Sequence, residues 1–485
     1  MEVVTESHRL ASDTALLNAR SRTASAVKRF MERWLADEQF RDEAIGALAA
    51  VDSRSRYGVR AADVRYLWDR AFRETVDAIP GALETLGPIL AEYLRFREAK
   101  LAYAEEVRAS SAPTDQRWRA WRERQMARLR FEVHENVDRA IVHPLFACEL
   151  SDGCSVGCWF CGVSAPKLKL HFLHTPENAA LWRAVVAAFG RCAGPAAARW
   201  GFLYWATDPF DNPDYERFCL DFYELLGTFP HTTTAQPHKD LERTRRFLRL
   251  SEQCGCHHNR FSILSLPILD RVHDAFTADE LALVELVLQN KTSVLPKQLA
   301  GRARKEAAPG AGDAEPLLAG STIACVSGFL LNLCTRSVKL ISPCASSRRW
   351  PLGYRVYAEA TFTDADDLER TIERFIEFCM PLEPDRDAVL AFHPDLTFEP
   401  FDDGFALSSP RQRSVFRGSA HLREWGDLVR ERRWTPAQLG AYFSERYGVR
   451  GGESAAWAQR VFDAGATDEF HEPVAPEAEL AAVPS

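Results

Sequence analysis

From His143 onward, short strand-like runs and helical runs take turns along the chain, and this alternation constrains the fold more than any other feature. HPLFACELS reads as a strand. TPENAALWRAVVAAFG reads as a helix with Thr175 as N-cap and Pro176 in its first position, and RWGFLYWAT as a second strand. The pattern continues through the helix DYERFCLDFYELLG, the strand FPHTTTAQP, the helix LERTRRFLRLSEQCG and the strand NRFSILS. TADELALVELVLQN reads as a further helix. After the Gly/Ala/charge-rich loop GRARKEAAPGAGDAEP, the run STIACVSGFLLN is strand-like again. Strands joined by helices of this length need right-handed crossovers and a parallel sheet. An α/β barrel, or part of one, is expected, with its site at the C-terminal strand ends.

The flanks read differently. Residues 1–140 form a helical region, in which Val27, Phe30, Met31, Trp34 and Leu35 recur at the spacing of one apolar helix face. SSAPTD (110–115) marks a break between helices. The core and its extension span 141–392. In residues 393–472, LTFEPF, an Asp403-Gly404 turn and FALSS predict a hairpin, and RSVFRG a third short strand. Three helices follow, one opened by Thr435-Pro436 and stopped at Gly448. This is the size of a small winged-helix-like α+β module. The Pro/Ala-rich tail, 473–485, is expected to be disordered.

A chain of 485 residues with 46% apolar and 26% charged content has the composition of a globular protein of several domains. Its net charge of -8 gives no electrostatic reason to expect nucleic acid or an anionic membrane as partner. The first twenty residues lack the basic and apolar regions of a secretory signal, and no apolar run is long enough to span a bilayer. A cytoplasmic protein is therefore expected, with thiols kept reduced. Its 12 cysteines then point to metal binding, chemistry or burial rather than disulfides.

Three of them, Cys154, Cys158 and Cys161, fall in a C-x3-C-x2-C spacing directly after the first strand of the series. A structural zinc site needs four ligands, here with Cys148, His143 or a distant residue as the fourth. Three thiolates on a four-iron cluster instead leave one iron open, a catalytic arrangement. Zinc and plain burial stay open as alternatives.

The spacing, with aromatic Phe160 before the third cysteine, resembles the signature of the radical S-adenosylmethionine (SAM) superfamily. The resemblance implies a [4Fe-4S] cluster on Cys154, Cys158 and Cys161, with SAM bound to the open iron. In that superfamily the second strand often ends in Gly-Gly-Glu-Pro, which holds the methionine amino group. Here it ends Ala206-Thr207-Asp208-Pro209, matching the acid-proline pair but not the glycines. Asp208 offers the carboxylate oxygens that an ammonium group wants. Ser262, in the strand Asn259–Ser262, stands where contacts to the SAM carboxylate or ribose are expected from the resemblance.

The C-terminal segment FEPFDDGFALSS…SERYG resembles a PqqD-like peptide-recognition element. That implies a precursor peptide whose leader adds as a strand to the small sheet. A DNA-binding winged helix is the alternative, and Arg430, Arg432 and Arg433 on its helix run are what such a reading would use. Cys325, Cys334, Cys344 and Cys379 are spread out, without the paired spacing of auxiliary clusters. From Cys148 to Tyr357, ELSDGCSVGCWFCGVSA, LYWATDPFDNPDYE, HTTTAQP and LISPCASSRRWPLGY resemble the radical SAM peptide epimerases of proteusin-type maturation. The resemblance implies L-to-D conversion of peptide residues, with Cα–H abstraction by a 5′-deoxyadenosyl radical. Cys344, in SPCASSRRW after the last barrel strand, is then the thiol that returns hydrogen to the other face, and Cys334 is next in line. Cys325 and Cys334 are expected to be buried. An electron donor such as flavodoxin or ferredoxin is implied. A maturase forming thioether or carbon–carbon crosslinks is the alternative function. A leader-binding scaffold with a structural cluster is the remote one.

Overall fold

The helix Arg22–Ala36 shows how the N-terminal region is built. Ser21 caps it by accepting the Ala24 N–H (3.0 Å). Val27, Phe30, Met31 and Trp34 then face inward against Val59, Ala61 and Val64, with Leu35 at the margin. The computed structural model describes residues 10–49, 54–295, 297–306 and 322–470. Among these, helices and short 3-10 turns occupy the chain as far as Ala140, and no strand precedes Phe146. The tail 473–485 and most of the Gly/Ala/charge-rich loop lie outside the described residues.

The strands, in chain order, are β1 (Phe146–Glu149), β2 (Ser151–Asp152), β3 (Leu170–His171), β4 (Thr233–Thr234), β5 (Arg260–Ile263), β6 (Glu285–Leu288), β7 (Gly328–Asn332), β8 (Ser337–Pro343), β9 (Tyr354–Thr361), β10 (Thr397–Phe401), β11 (Gly404–Ser408) and β12 (Arg413–Arg417). One sheet runs β1-β7-β8-β9 and another β4-β5-β6. β1 and β7 are parallel, with Glu149 opposite Asn332, and β4, β5 and β6 are parallel throughout. The fold is mixed α/β. β8 and β9, not among the expected strands, run antiparallel to their neighbours. The Leu333–Arg336 connection is too short for a crossover, so β8 has to turn back along β7.

Two expected elements differ. TADELALVELVLQN is not a helix: Thr277 and Glu280 do form the reciprocal pair of a capping box, but the turn stops there. Leu286 and Leu288 alternate with Glu285 and Val287 and pair with β5, so sheet burial overrides local helix propensity. RWGFLYWAT makes one parallel bridge, Ala147 to Phe202, rather than a full strand. Gly201 lies against the Phe146 ring, where a Cβ would collide, and the chain turns away after the bridge.

The helix Pro176–Ala193, capped by Thr175 (3.3 Å to the Asn178 N–H), buries Trp182, Val185, Val186 and Phe189 against β1 and β7. The C-terminal segment holds β10-β11-β12, all antiparallel, and the helices Leu422–Arg430, Pro436–Tyr447 and Gly451–Asp463. Thr435 and Gln438 form a capping box, and Gly448 ends that helix at φ 63°. Phe405, Leu407, Trp425, Phe443 and Trp457 form its core.

The helix Gln116–Glu132 joins the two bodies. Trp118 and Trp121 lie in the main core against Phe329 and Tyr357, while Phe131 enters the C-terminal core. The Arg124 guanidinium stacks on Phe462 (4.1 Å), and Gly465 approaches the Arg128 main chain with no room for a Cβ.

Candidate metal and cofactor site

The cysteine loop leaves the end of β1 and is shaped by its own backbone. The Cys154 N–H donates to the Pro166 carbonyl (2.9 Å) and the Leu168 N–H to the Cys154 carbonyl (3.3 Å). Gly153 at φ 92° is needed there, because a Cβ would overlap the Lys167 carbonyl. A tight turn follows, with the Cys161 N–H on the Cys158 carbonyl (3.3 Å) and the Ser164 N–H on the Cys161 carbonyl (3.1 Å). Backbone N–H groups also point at sulfur: Val156 at Cys154 (3.4 Å) and Ala165 at Cys161 (3.3 Å).

The loop brings its three thiols into one electrostatic environment. Burial pushes the Cys158 thiol up to about 12, and the neighbouring Cys154, Cys161 and Asp208 add to the rise. Burial also raises Cys154, against the Val156 N–H and with Asp208 and Asp211. A bound cation would invert this preference and favour thiolate. Among the described residues no three His, Cys, Asp or Glu side chains are already closed around a metal-sized point.

Several contacts that local spacing does not reveal hold this loop. Asp211 accepts the Ser155 N–H (2.8 Å), the Ser155 hydroxyl (2.5 Å) and the Gln236 side-chain amide (2.7 Å). The Arg302 main-chain N–H donates to the Cys161 carbonyl (3.0 Å), and its guanidinium donates to the carbonyls of Cys158 (2.9 Å) and Ala165. Glu149, at the end of β1, accepts from the Ala206 N–H (2.7 Å) and Asn332 (3.1 Å). Burial lifts its carboxyl to about 7, against those two bonds. One signal in the sequence did mark it: a single charge closing an otherwise apolar strand. Asp211, Gln236 and Arg302 carried none.

Asp208 is buried and already engaged. It accepts from the Phe210 N–H (3.0 Å), the Thr234 hydroxyl (2.8 Å) and the Ala235 N–H (2.7 Å). These use three of about four lone-pair positions and tie the Ala206–Pro209 turn to the end of β4. Burial raises its carboxyl to about 6. Thr207 is half-buried in that turn, and Phe160 packs edge-on to Trp159 (5.5 Å) in the loop. Ser262 sits on β5 opposite Val287, on the face of Arg260 and away from buried Phe261 and Ile263.

Cys344 stands apart from this group. It lies beyond β7 in the β8–β9 connection, its N–H on the Gly353 carbonyl (3.0 Å). Tyr354 and Val356 face the side of Phe202 and Ala147, and Tyr354 packs on Trp205. Ser342 and Arg355 face the other way, toward the helix Gln116–Glu132: Arg128 donates to Ser342 (2.6 Å), and Arg355 to Glu132 (2.8 Å) and His393 (2.5 Å). Cys344 belongs to this second side. Burial pushes its thiol up to about 12, Glu132 adds to the rise, and Arg128 and Arg355 oppose it. A cleft of about 480 Å3 opens beside it, lined by Ala345, Arg349, Trp350, His393 and Phe470 among others. Cys334 is not in the apolar run but in the β7–β8 turn, half-buried and 3.8 Å from the Leu170 carbonyl. Cys325, just before β7, is raised to about 12 by burial.

No protein-family model matches the chain. It is 39% identical over 399 residues to the uncharacterized protein y4wI of Sinorhizobium fredii, covering 80% of this chain and 76% of that protein. Among solved structures, BtrN in complex with AdoMet and 2-DOIA overlaps at 15% identity and a TM-score of 0.28, over 40% of this chain and 72% of BtrN. Among the described residues, no helix is long and apolar enough to cross a membrane.

Proposed function

The chain belongs to the family of the uncharacterized protein y4wI of Sinorhizobium fredii, and we propose that it is a radical SAM enzyme that converts L- to D-residues in a ribosomally made precursor peptide. The observation that carries the first half is the gathering of Cys154, Cys158, Cys161 and Asp208 at the end of β1, where burial and mutual repulsion hold the thiols ready for a cation. The parallel pairing of β1 with β7 and of β4 to β6 supports reading them as parts of a partial (β/α) barrel, whose reaction would take place at strand ends such as the one this loop follows. A four-iron cluster held by these three thiolates would bind SAM at its open iron and, once reduced, supply a radical able to take hydrogen from an unactivated carbon.

The chain's own residues divide the remaining work. Gly153, Asp211 and Arg302 fix the loop from which the thiolates would bind. Glu149 holds the Ala206–Pro209 turn, and Asp208 offers its last acceptor position to an ammonium group. Cys344 keeps its S–H bond at neutral pH and so can give a hydrogen atom to a carbon radical of the peptide, leaving a thiyl that the electron donor restores. The sheet β10-β11-β12, with both outer strands unpaired among the described residues, suits a leader bound as an added strand.

One observation favours a second reading. The Cys344 thiol lies on the side of β8 facing the helix Gln116–Glu132, not the side of Tyr354 and Trp205. A maturase that forms a crosslink needs no returned hydrogen and fits that placement. Product mass separates the two, because inversion leaves the peptide mass unchanged in ordinary water and a crosslink removes two hydrogens. Replacing Cys154, Cys158 and Cys161 together by Ala should abolish iron binding and SAM cleavage. Retention of about four irons per chain by that variant would refute the cluster assignment.

A further inference from the structure

Arg302 is placed against the cysteine loop by three bonds, none of which depends on a ligand. Its main-chain N–H donates to the Cys161 carbonyl at 3.0 Å. Its guanidinium reaches the Cys158 carbonyl at 2.9 Å and the Ala165 carbonyl. Gly301, immediately before it, stands at φ 55° and packs so closely on the carbonyls of Cys161 and Gly162 that no Cβ fits. The Gly301 N–H donates to the Pro351 carbonyl (2.8 Å), so the segment is anchored to the β8–β9 connection as well. On the loop's other flank, Gly162 is closed over by Ile323. The backbone from Cys158 to Ala165 is thus held by a cation that arrives from about 140 positions further along the chain.

We propose that Arg302 is a positioning residue for the metal site at this loop, and that its charge sets the ease with which that site is reduced. This rests on the radical SAM reading of the three cysteines. Two physical effects converge. The fork geometry of guanidinium lets one side chain hold two carbonyls at once, fixing the turn that aims Cys158 and Cys161. A fixed positive charge in a half-buried, low-dielectric site stabilises the more negative, reduced form of a thiolate-ligated cluster, raising its potential. At the loop's other end Asp211, which accepts the Ser155 N–H (2.8 Å), places a carboxylate whose charge is of the opposite sign.

The test uses the full-length holoprotein, wild type and the variants Arg302→Gln and Arg302→Lys. The readouts are iron and sulfide content after anaerobic reconstitution, the midpoint of the cluster in an EPR-monitored redox titration, and the melting temperature of the metal-free protein as a fold control. Gln keeps a donor but removes the charge, and Lys keeps the charge but not the fork. Arg302→Gln should show about a tenfold lower ratio of reduced to oxidised cluster at a fixed poise, equivalent to 59 mV for a one-electron couple. Arg302→Lys should keep the wild-type midpoint while losing iron faster to a chelator. If Arg302→Gln loads no cluster yet melts like wild type, with Lys still loading, the charge is essential and the proposal stands. Failure of both to load, with wild-type melting, likewise supports the positioning role. Wild-type midpoints and chelator lifetimes in both variants overturn it. The reading beneath is tested separately: a cluster that survives removal of Cys154, Cys158 and Cys161 refutes that assignment whatever Arg302 does.

Discussion

The loop from Cys154 to Cys161 and the surroundings of Cys344 both hold thiols that burial keeps protonated. The first has turns closed on the cysteines themselves by Pro166, Leu168 and Ser164, with Asp211 and Arg302 bracing them from further along the chain. The second is assembled from distant segments: Arg128 and Glu132 from one helix, Arg355 from β9 and His393 from the start of the C-terminal segment. At the first, burial and the neighbouring carboxylates both disfavour ionised sulfur. At the second, each charge already has its partner. The contrast separates a site built to receive charge from one built to exclude it.

The sharpest way to break this comparison is Cys344→Ala. If the inversion reading is right, the variant should still cleave SAM to 5′-deoxyadenosine but accumulate no D-residues, assayed by hydrolysis and chiral chromatography. Wild type in heavy water should add about one mass unit per inverted centre, because a thiol proton exchanges with solvent and the Cα–H of an L-residue does not. Replacing a buried Cys by Ala costs on the order of 1 kcal/mol, so the fold should persist. Wild-type D-residue content in Cys344→Ala would remove the thiol from the reaction and turn attention to Cys334.

Glu132→Ala should produce the largest loss of stability, about 3–5 kcal/mol by denaturant titration, because it strands Arg128 and Arg355 without their buried counter-charge. A loss below about 1 kcal/mol would mean that the charges there are solvated.

Acid should act on the two regions in opposite directions. The Glu149 carboxyl is lifted from 4.5 to about 7, so the folded metal-free chain binds a proton the unfolded chain has released, and stability falls as pH rises between those values. Glu149→Gln should flatten that slope, worth on the order of 3 kcal/mol. Glu132 moves the other way: burial opposes its ionisation, but Arg128 and Arg355 outweigh it and hold the carboxyl below its ordinary value. Its contribution is complete above about pH 4.5 and disappears as pH falls through the depressed value. Melting curves from pH 4 to 8 that are unchanged by Glu149→Gln would contradict the account of β1's end.

The smallest effect is expected far from both thiols. Val415 is exposed on the outer strand β12, where an added leader strand would cover it. Val415→Glu should weaken binding of a fluorescent leader peptide about tenfold in anisotropy titrations, the worth of one aliphatic side chain left wet. Equal affinity would move the peptide to another surface.

What the sequence made legible follows from how local each feature is. The Thr175-Pro176 and Thr435-Pro436 helix starts and the Gly448 stop are decided within four or five residues, and they form as expected. Over the Leu286–Leu288 run two periodicities compete in too short a stretch, and only the presence of β5 decides between them. The antiparallel return of β8 was hidden in the length of one turn. At the site, the cysteine spacing announces itself, whereas Asp211 and Arg302 act on it from about 55 and 140 positions away. The register shift that leaves Tyr357 of β9 without a partner opposite Leu340 and Ile341 leaves no trace in composition.

The helix Gln116–Glu132 carries one more consequence. Its tryptophans are buried in the main core, its Phe131 in the C-terminal one, and Gly465 is pressed against its backbone between them. Two hydrophobic bodies that share a helix cannot melt in turn without tearing that helix from one of them. Their unfolding is therefore cooperative, and calorimetry should record a single endotherm whose van't Hoff and calorimetric enthalpies agree over the pair.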